Sequence, residues 1–530
     1  MVRGARAGTA RTARQEAWAT LKATVSSNAN GLDLLWLASA IATALAFAPI
    51  NAWWLLFIAP AGWLGVLSQV QGARRVAIAF GWGLVFIAVQ SLWALPTFAQ
   101  QAQADWAAGV AWLIVLIWYA CWCALFGWLV GRLPATGWIW AVGAASGWVV
   151  VCWLRSLGAW GFPWAMLALP LARFPLLLQP AELGGIWLVE WLLMLWNALL
   201  VQVWRGAEVR AWAVPLSGLA LWVGGSVWLW QQARATPLGE PVRVAVLQTE
   251  YDALRTLFSA QIYDSGIERL LEQARQSGAD WAILPESSET YFWASLIDRE
   301  RLRQWQEWAQ RYSMHILTGV TRQHGEHGFN SALGISPRGT WAFYNKMKLM
   351  PFTEYAPAEP IAEWLKVLGV SRRSLRCGER VHALRLGKEP PVGALICYES
   401  LYGWIAAQAV RDGAQWLVAI TNDRWLLGAG VREQYADYSL VRAIETRRWV
   451  ARASTVGISG FFSPLGERWE APGGRPYVMT HTLYGSSQQT LYARWGDYWG
   501  YLCGLLYGAG VVWRVILSAR ARHIPAADVG

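Results

Sequence analysis

The chain has 530 residues, of which 55% are hydrophobic and only 15% charged, and 40 are tryptophan. Soluble domains carry about 25% charged residues, so these figures exclude a single soluble globule and a disordered chain; 6 Cys in 530 residues exclude a disulfide scaffold. The formal net charge of +11 reads as loop charge on one side of a membrane, because no compact Lys/Arg patch with interleaved aromatics marks a nucleic-acid surface.

Residues 1–31 form a basic tail with Arg3, Arg6, Arg11, Arg14 and Lys22. Without an A-x-A-like cleavage site after the first apolar run, it reads as part of an uncleaved anchor. Only six of the 34 acidic residues lie in 1–235: Glu16, Asp33, Asp105, Glu182, Glu190 and Glu208. A spanning helix needs about 20 mostly apolar residues. Such runs fall near 33–48, 52–71, 76–98, 107–131, 135–154, 183–204 and 211–231, making a seven-helix membrane domain over 32–232. An eighth run near 498–518 lies in a segment taken as 496–520, followed by a short tail at 521–530.

Orientation follows from the basic residues at the span ends. Arg74, Arg75, Arg132, Arg205, Arg210, Arg514, Arg520 and Arg522 all fall on the side of the N-terminal tail, expected to be cytoplasmic. Seven crossings then put the region between spans seven and eight on the opposite face. The stretch 155–180 lies on that face too and is mostly apolar, with GFPW at 161–164. Composition leaves two readings of it open, a re-entrant packing element and a lipid-facing wall.

From Val242 the pattern becomes soluble-like. Residues 242–248, 281–286, 315–320, 332–335, 392–397 and 416–421 read as buried strands. Helical stretches near 256–277 and to about Arg411 alternate with them, and the whole of 238–495 reads as one α/β sandwich domain. Chemistry-bearing residues stand at strand ends. Cys397 ends an apolar strand before a predicted helix, where the helix dipole lends a thiol thiolate character. Glu286 ends another strand; a carboxylate held among apolar neighbours suits proton abstraction. Lys346 or Lys348 would supply the cation that stabilises an oxyanion. On residue type alone, a lone Cys at a strand end such as Cys397 is more often a small core residue than a catalytic one. The pair His324 and His327 sits in a Gly-containing loop and is not read as a metal site, and no phosphate-binding or dinucleotide fingerprint is present.

The segments LPES at 284–287, YNKMKLMPFTEYAP at 344–357 and ICYES at 396–400, in this order, resemble the nitrilase (carbon–nitrogen hydrolase) superfamily. Their placement between seven spans and one resembles its membrane-embedded branch, the apolipoprotein N-acyltransferases. GFPW at 161–164, LLLQPAELGG at 176–185 with Asn197 beyond, FNSAL at 329–333, TNDRW at 421–425 and RAIETRR at 442–448 extend the likeness over about 32–518.

The resemblance implies an eight-helix membrane domain joined to an extracytoplasmic αββα sandwich in a bacterial inner membrane, with both termini cytoplasmic. It implies Cys397 as nucleophile, Glu286 as general base and Lys346 as oxyanion stabiliser. Lys346 is preferred to Lys348 because the family's lysine stands eight residues before its second glutamate, here Glu354. Glu354 would position Lys346, and Tyr398 and Glu399 adjoin the nucleophile. Phe162, Pro163 and Trp164 are the implied substrate contacts. The reaction would move an acyl chain from a phospholipid, through a Cys397 thioester, to the α-amino group of a diacylglyceryl-cysteine at a lipoprotein N-terminus. No metal or cofactor and no nucleic-acid partner is implied, and a monomer is expected.

Three departures stand out. The stretch 253–258 lacks the Trp often found there, Tyr435 follows Gln434 where a His often follows, and Thr455 replaces a usual Asn. Rival readings are a membrane-tethered amidase using the same triad and a non-catalytic membrane scaffold. Cys377 should be free, because pairing it with Cys397 would destroy the nucleophile.

Overall fold

The computed structural model describes residues 29–101, 105–134, 137–205, 212–249, 260–286, 288, 299–324, 327–351, 353–355, 375–471 and 473–522. Residues 1–28 of the basic tail, Arg210, the 253–258 stretch and the end of the C-terminal tail lie outside them.

The apolar first part is helical: α1 (Ala29–Ala44), α2 (Ala59–Gln69), α3 (Gly72–Gln90), α4 (Ala94–Gln101), α5 (Asp105–Val130), α6 (Trp138–Ser156), α7 (Ala181–Arg205) and α8 (Ala213–Ala235). Among the described residues, six helices are long and apolar enough to cross a membrane: α3, α5, α6, α7, α8 and the late helix over Tyr498–Arg520. The first two expected spans are shorter, at Gly31–Ala44 and Trp53–Gln69. They nonetheless pack inside the bundle. Ser39 of α1 donates to the Ala59 carbonyl (2.6 Å) and accepts from the Trp82 indole of α3 (3.1 Å). Stacked Trp63 and Trp82, with ring centroids 4.0 Å apart, fill the centre. The late helix, by contrast, presents Leu505 and Val515 outward, 72% and 63% exposed, as a lipid-facing surface does.

α7 is interrupted near its start. Gly184 and Gly185 leave the helical conformation, and Gly185 has φ +69° with the Tyr492 ring where a side chain would stand. The helix resumes at Ile186, whose N–H donates to Glu445 (2.8 Å).

The second part contains β1 (Pro241–Gln248), α9 (Ala260–Gln276), β2 (Trp281–Ile283), α10 (Arg299–Tyr312), β3 (His315–His324), β4 (His327–Ile335), β5 (Trp341–Asn345) and β6 (Val392–Ile396). It continues with α11 (Gly403–Arg411), β7 (Trp416–Thr421), α12 (Val431–Thr446), β8 (Val450–Ser454), β9 (Gly460–Phe462), β10 (Arg468–Glu470), β11 (Tyr477–Tyr484), α13 (Leu491–Trp495) and α14 (Tyr498–Arg522). One sheet has the order β11-β1-β2-β3-β4-β5 and the other β10-β9-β8-β7-β6. Alternation along β1 makes the layers. Ala245 and Leu247 face Ile267 and Leu271 of α9 and Trp305 and Trp308 of α10, whereas Val244 and Val246 face the other sheet. Trp281 meets Trp416 between the sheets at 5.3 Å. With α11 and α12 on the far side, the layers run α-β-β-α. Strands β1, β2 and β3 run parallel, as do β6, β7 and β8.

The sandwich docks on one end of the helices. Gln434 bridges Gln90 (2.5 Å) and the Ala48 carbonyl (2.8 Å), and Arg173 pairs with Glu433 and Asp437, each at 3.2 Å. Trp187 donates to Asp497 (2.9 Å), and Arg447 pairs with Glu182. The other end carries arginines that cap carbonyls: Arg75 on Leu67 and Val70 (both 2.9 Å), Arg205 on Ser68 (2.8 Å) and Arg514 on Gly131.

The stretch 155–180 corrects one of its two sequence readings. Residues 163–172 are all buried, so this part is packed inside the protein and is not a lipid-facing wall. Apolar composition is the same for both environments; the difference lies in the polar groups that hold the loop. Arg155 donates to the carbonyls of Phe162 (3.1 Å) and Trp164 (2.6 Å). Glu190 accepts from the N–H groups of Leu167 (3.1 Å) and Ala168 (2.7 Å) and from the Trp148 indole (2.7 Å). Gly161 and Pro163 are held from the sandwich: Tyr398 and Tyr402 donate to the Gly161 carbonyl (2.7 and 2.6 Å) and Tyr438 to that of Pro163 (2.7 Å).

Candidate active site

Parallel strands in both sheets end at the same edge of the sandwich, the usual place for a site in α/β proteins. The chain leaves β2 through Leu284 and Pro285 and delivers Glu286, which is buried. Glu286 is not surrounded by apolar groups, as its sequence context suggested. One oxygen accepts from Lys346 Nζ (3.2 Å) and Asn330 Nδ2 (2.7 Å), and the other from the Asn422 N–H (3.0 Å) just beyond β7.

Lys346 is the first residue after β5, and its N–H donates to the Asn330 carbonyl of the neighbouring β4 (2.8 Å). Its ammonium sits between two carboxylates, 3.2 Å from Glu286 and 2.9 Å from Glu354, and is buried with both. Burial alone would pull this ammonium down; Glu286, then Glu354 and Cys397, push it up, and the net shift is upward. Lys346 therefore stays charged. Glu354 is fixed in turn by the Met350 N–H (2.7 Å) and Asn330 (2.7 Å). Lys348 points elsewhere, donating to the Gly158 carbonyl, so the geometry separates the two lysines as their spacing to Glu354 does.

Cys397 is the first residue after β6 and opens a 3₁₀ turn over Cys397–Leu401. Its φ is +51°, in the left-handed region that costs a non-glycine residue about 1–2 kcal/mol. Strained backbone of this kind clusters at functional sites. Burial, then the Glu286 carboxylate, pushes the thiol well above the ordinary cysteine range; Lys346 and Tyr435 offset only part of this. The sequence expectation of thiolate character from a helix dipole is thus reversed, because burial outweighs the short turn. Cys377 is free and exposed.

Glu399 is fully buried and lies behind the turn. It accepts from the N–H of Ile396 (2.8 Å), the N–H of Met347 (2.6 Å) and the Tyr344 hydroxyl (2.9 Å), tying the Cys397 turn to the segment that carries Lys346. Burial pushes its carboxyl up to about 7 against these donors. Tyr398 holds the Gly161 carbonyl and stacks on Phe162, with centroids 6.2 Å apart and rings 14° from parallel. Of the expected substrate contacts, Phe162 is half-buried, while Pro163 and Trp164 are buried in the packing.

Asn330 and the Asn422 N–H were not singled out as site groups. The motifs FNSAL and TNDRW hold them, but only the pairing of β4 with β5 and the nearness of the two sheets show that both serve Glu286.

Residues 39–199 match the family model for the apolipoprotein N-acyltransferase N-terminal domain, and residues 243–487 match that for carbon-nitrogen hydrolase. An apolipoprotein N-acyltransferase of Gloeobacter violaceus is 27% identical over 508 residues, covering 84% of this chain and 94% of the relative. One from Chromobacterium violaceum is 28% identical over 449 residues, covering 82% and 84%. Among solved structures, an amidase from Nesterenkonia sp. overlaps 50% of this chain and 96% of its own at 17% identity, with a TM-score of 0.37.

Proposed function

The chain belongs to the apolipoprotein N-acyltransferase family, and from this premise we propose that Cys397, Glu286 and Lys346 carry the acyl transfer. The protein is an inner-membrane acyltransferase that N-acylates lipoproteins. The observation that carries the residue assignment is the buried Lys346 ammonium between Glu286 and Glu354, beside a thiol in a left-handed turn.

In the first half-reaction Glu286 takes the Cys397 proton, and the sulfur attacks the ester carbonyl carbon of a phospholipid. Lys346 stabilises the oxyanion of the tetrahedral adduct. The C–O bond breaks, Glu286 returns the proton to the departing oxygen, and a lysophospholipid leaves. Cys397 keeps the acyl group as a thioester. In the second half-reaction the neutral α-amine of a diacylglyceryl-cysteine attacks the thioester carbon. Glu286 accepts the proton from the new ammonium, the C–S bond breaks, and the proton passes to the Cys397 sulfur. The amide product leaves and the enzyme is restored. One nucleophile serving two lipid substrates in turn predicts ping-pong kinetics.

The reading includes eight crossings, with α1 and the Trp53–Gln69 segment as the first two; their burial in the bundle supports this. It places 32–232 and 496–520 in the membrane, 238–495 in the periplasm and both termini in the cytoplasm. The arginine-capped helix ends lie opposite the docked sandwich, which supports that orientation. All three reacting groups come from one chain, in keeping with a monomer.

The test is mass spectrometry of the purified protein after incubation with phospholipid. An acyl mass on the peptide carrying Cys397, lost on hydroxylamine treatment, is expected. Acyl transfer to acceptor without any such adduct would overturn the thioester route.

A further inference from the structure

Helix α12 brings to the nucleophile a hydroxyl that the triad does not use. Gln434, in its first turns, is occupied with Gln90 and Ala48 at the membrane interface. The next residue, Tyr435, is buried at 2% exposure. Its ring packs 6.1 Å from that of Trp164, and the Arg452 guanidinium lies 4.7 Å over its face. The helix packs directly on the Cys397–Leu401 turn, bringing the Tyr435 hydroxyl to the side of the Cys397 thiol, and among the described residues this hydroxyl has no hydrogen bond of ordinary geometry. Leaving a buried phenol unpartnered is costly, and active-site hydrogen bonds that are long at rest often tighten when the reacting charge develops.

The charges around this contact define what the hydroxyl can do. The thiol is faced by Glu286, Lys346, Asp423 and Tyr435. The phenol is faced by Cys397, Asp423 and Arg452. Asp423 is engaged through Oδ2 by Arg452 (3.0 Å) and Ser454 (2.9 Å), while among the described residues its Oδ1 has no hydrogen-bond partner. Burial, followed by Cys397 and Asp423, holds the phenol well above its ordinary range, with Arg452 opposing. The hydroxyl keeps its proton at neutral pH and acts toward the sulfur as a donor.

We propose that Tyr435 is a further catalytic residue of acyl transfer, donating a hydrogen bond to the Cys397 sulfur as negative charge forms on it. The same bond serves twice, when the thiol is deprotonated for attack on the phospholipid ester and when the sulfur departs from the second tetrahedral adduct. This rests on Cys397 being the nucleophile.

The experiment follows the pH dependence of Cys397 alkylation by iodoacetamide in the full-length detergent-solubilised protein, measured on the Cys397 peptide. Tyr435→Phe removes one oxygen. It should move the alkylation midpoint up by about one unit, slow labelling at neutral pH about tenfold, and slow phospholipid-dependent acylation by a similar factor. Tyr435→His, which keeps a ring N–H donor, should fall between wild type and Tyr435→Phe. An unmoved midpoint in Tyr435→Phe would overturn the proposal, including where slower turnover accompanies a lower melting temperature, since that combination marks a packing role. Failure of the underlying reading is distinguishable: the wild-type Cys397 peptide would then carry no acyl mass at all.

Discussion

Two clusters of buried charge, one in the helical part and one in the sandwich, are built differently. On the membrane side, Arg155 and Glu190 bind carbonyls, amide N–H groups and an indole of the loop and its neighbours. On the sandwich side, Lys346, Glu286 and Glu354 bind one another and stand beside a thiol. A charge saturated by fixed neutral dipoles holds a loop in shape. Charges that bind one another beside a thiol form a coupled unit in which one proton can change place. The first arrangement should therefore matter to stability and substrate placement, the second to the chemical steps.

The largest effects should fall on the second cluster. Cys397→Ser should abolish the acyl adduct, because a serine hydroxyl is far less acidic than a thiol and the proposed base is a carboxylate. Glu286→Gln should lower the acylation rate about 10²–10⁴-fold, as expected for loss of a general base. Lys346→Met should cost about 10²–10³-fold, as for one oxyanion donor. Single-turnover formation of the adduct measures all three. A Lys346→Met variant acylated at the wild-type rate would reduce its cluster to the structural kind.

Much of the candidate site's geometry is legible because its groups stand at the ends of continuous apolar runs. Residues 392–397 and 281–286 read as buried strands, with Cys397 and Glu286 at their ends, and the structure places both at one sandwich edge. The spacing from Lys346 to Glu354 selected the right lysine for the carboxylate pair. Less legible were features set by long-range packing. β11 has mostly half-buried residues, so neither alternation nor a buried run marks it. Tyr435 reads as a departure from a motif, and only the approach of α12 to the Cys397 turn gives its hydroxyl a neighbour. The 155–180 loop was ambiguous because an apolar segment has the same composition against lipid as against protein.

Glu190 and Tyr398 sharpen the comparison at the smaller end. Glu190→Leu should leave the N–H groups of Leu167 and Ala168 without their acceptor, at about 1–3 kcal/mol for each orphaned donor. The melting temperature and lipid transfer should fall together, while the pH midpoint of Cys397 alkylation stays where it is. A moved midpoint would show that the two clusters are electrostatically one.

Tyr398→Phe should have the mildest effect, although Tyr398 adjoins Cys397. The Gly161 carbonyl that its hydroxyl binds also accepts from Tyr402, so the acceptor keeps one partner when Tyr398 loses its oxygen. Its ring would still stack on Phe162. A hydrogen bond of this kind contributes about 0.5–1.5 kcal/mol, so a loss of several-fold in lipid transfer is expected. The loss should appear in KM for phospholipid more than in the rate of Cys397 alkylation, because the bond secures the loop and does not touch the sulfur. If Tyr398→Phe instead slows alkylation as much as transfer, the hydroxyl acts on the nucleophile turn itself, and the division between a shaping cluster and a reacting one fails at the residue that joins them.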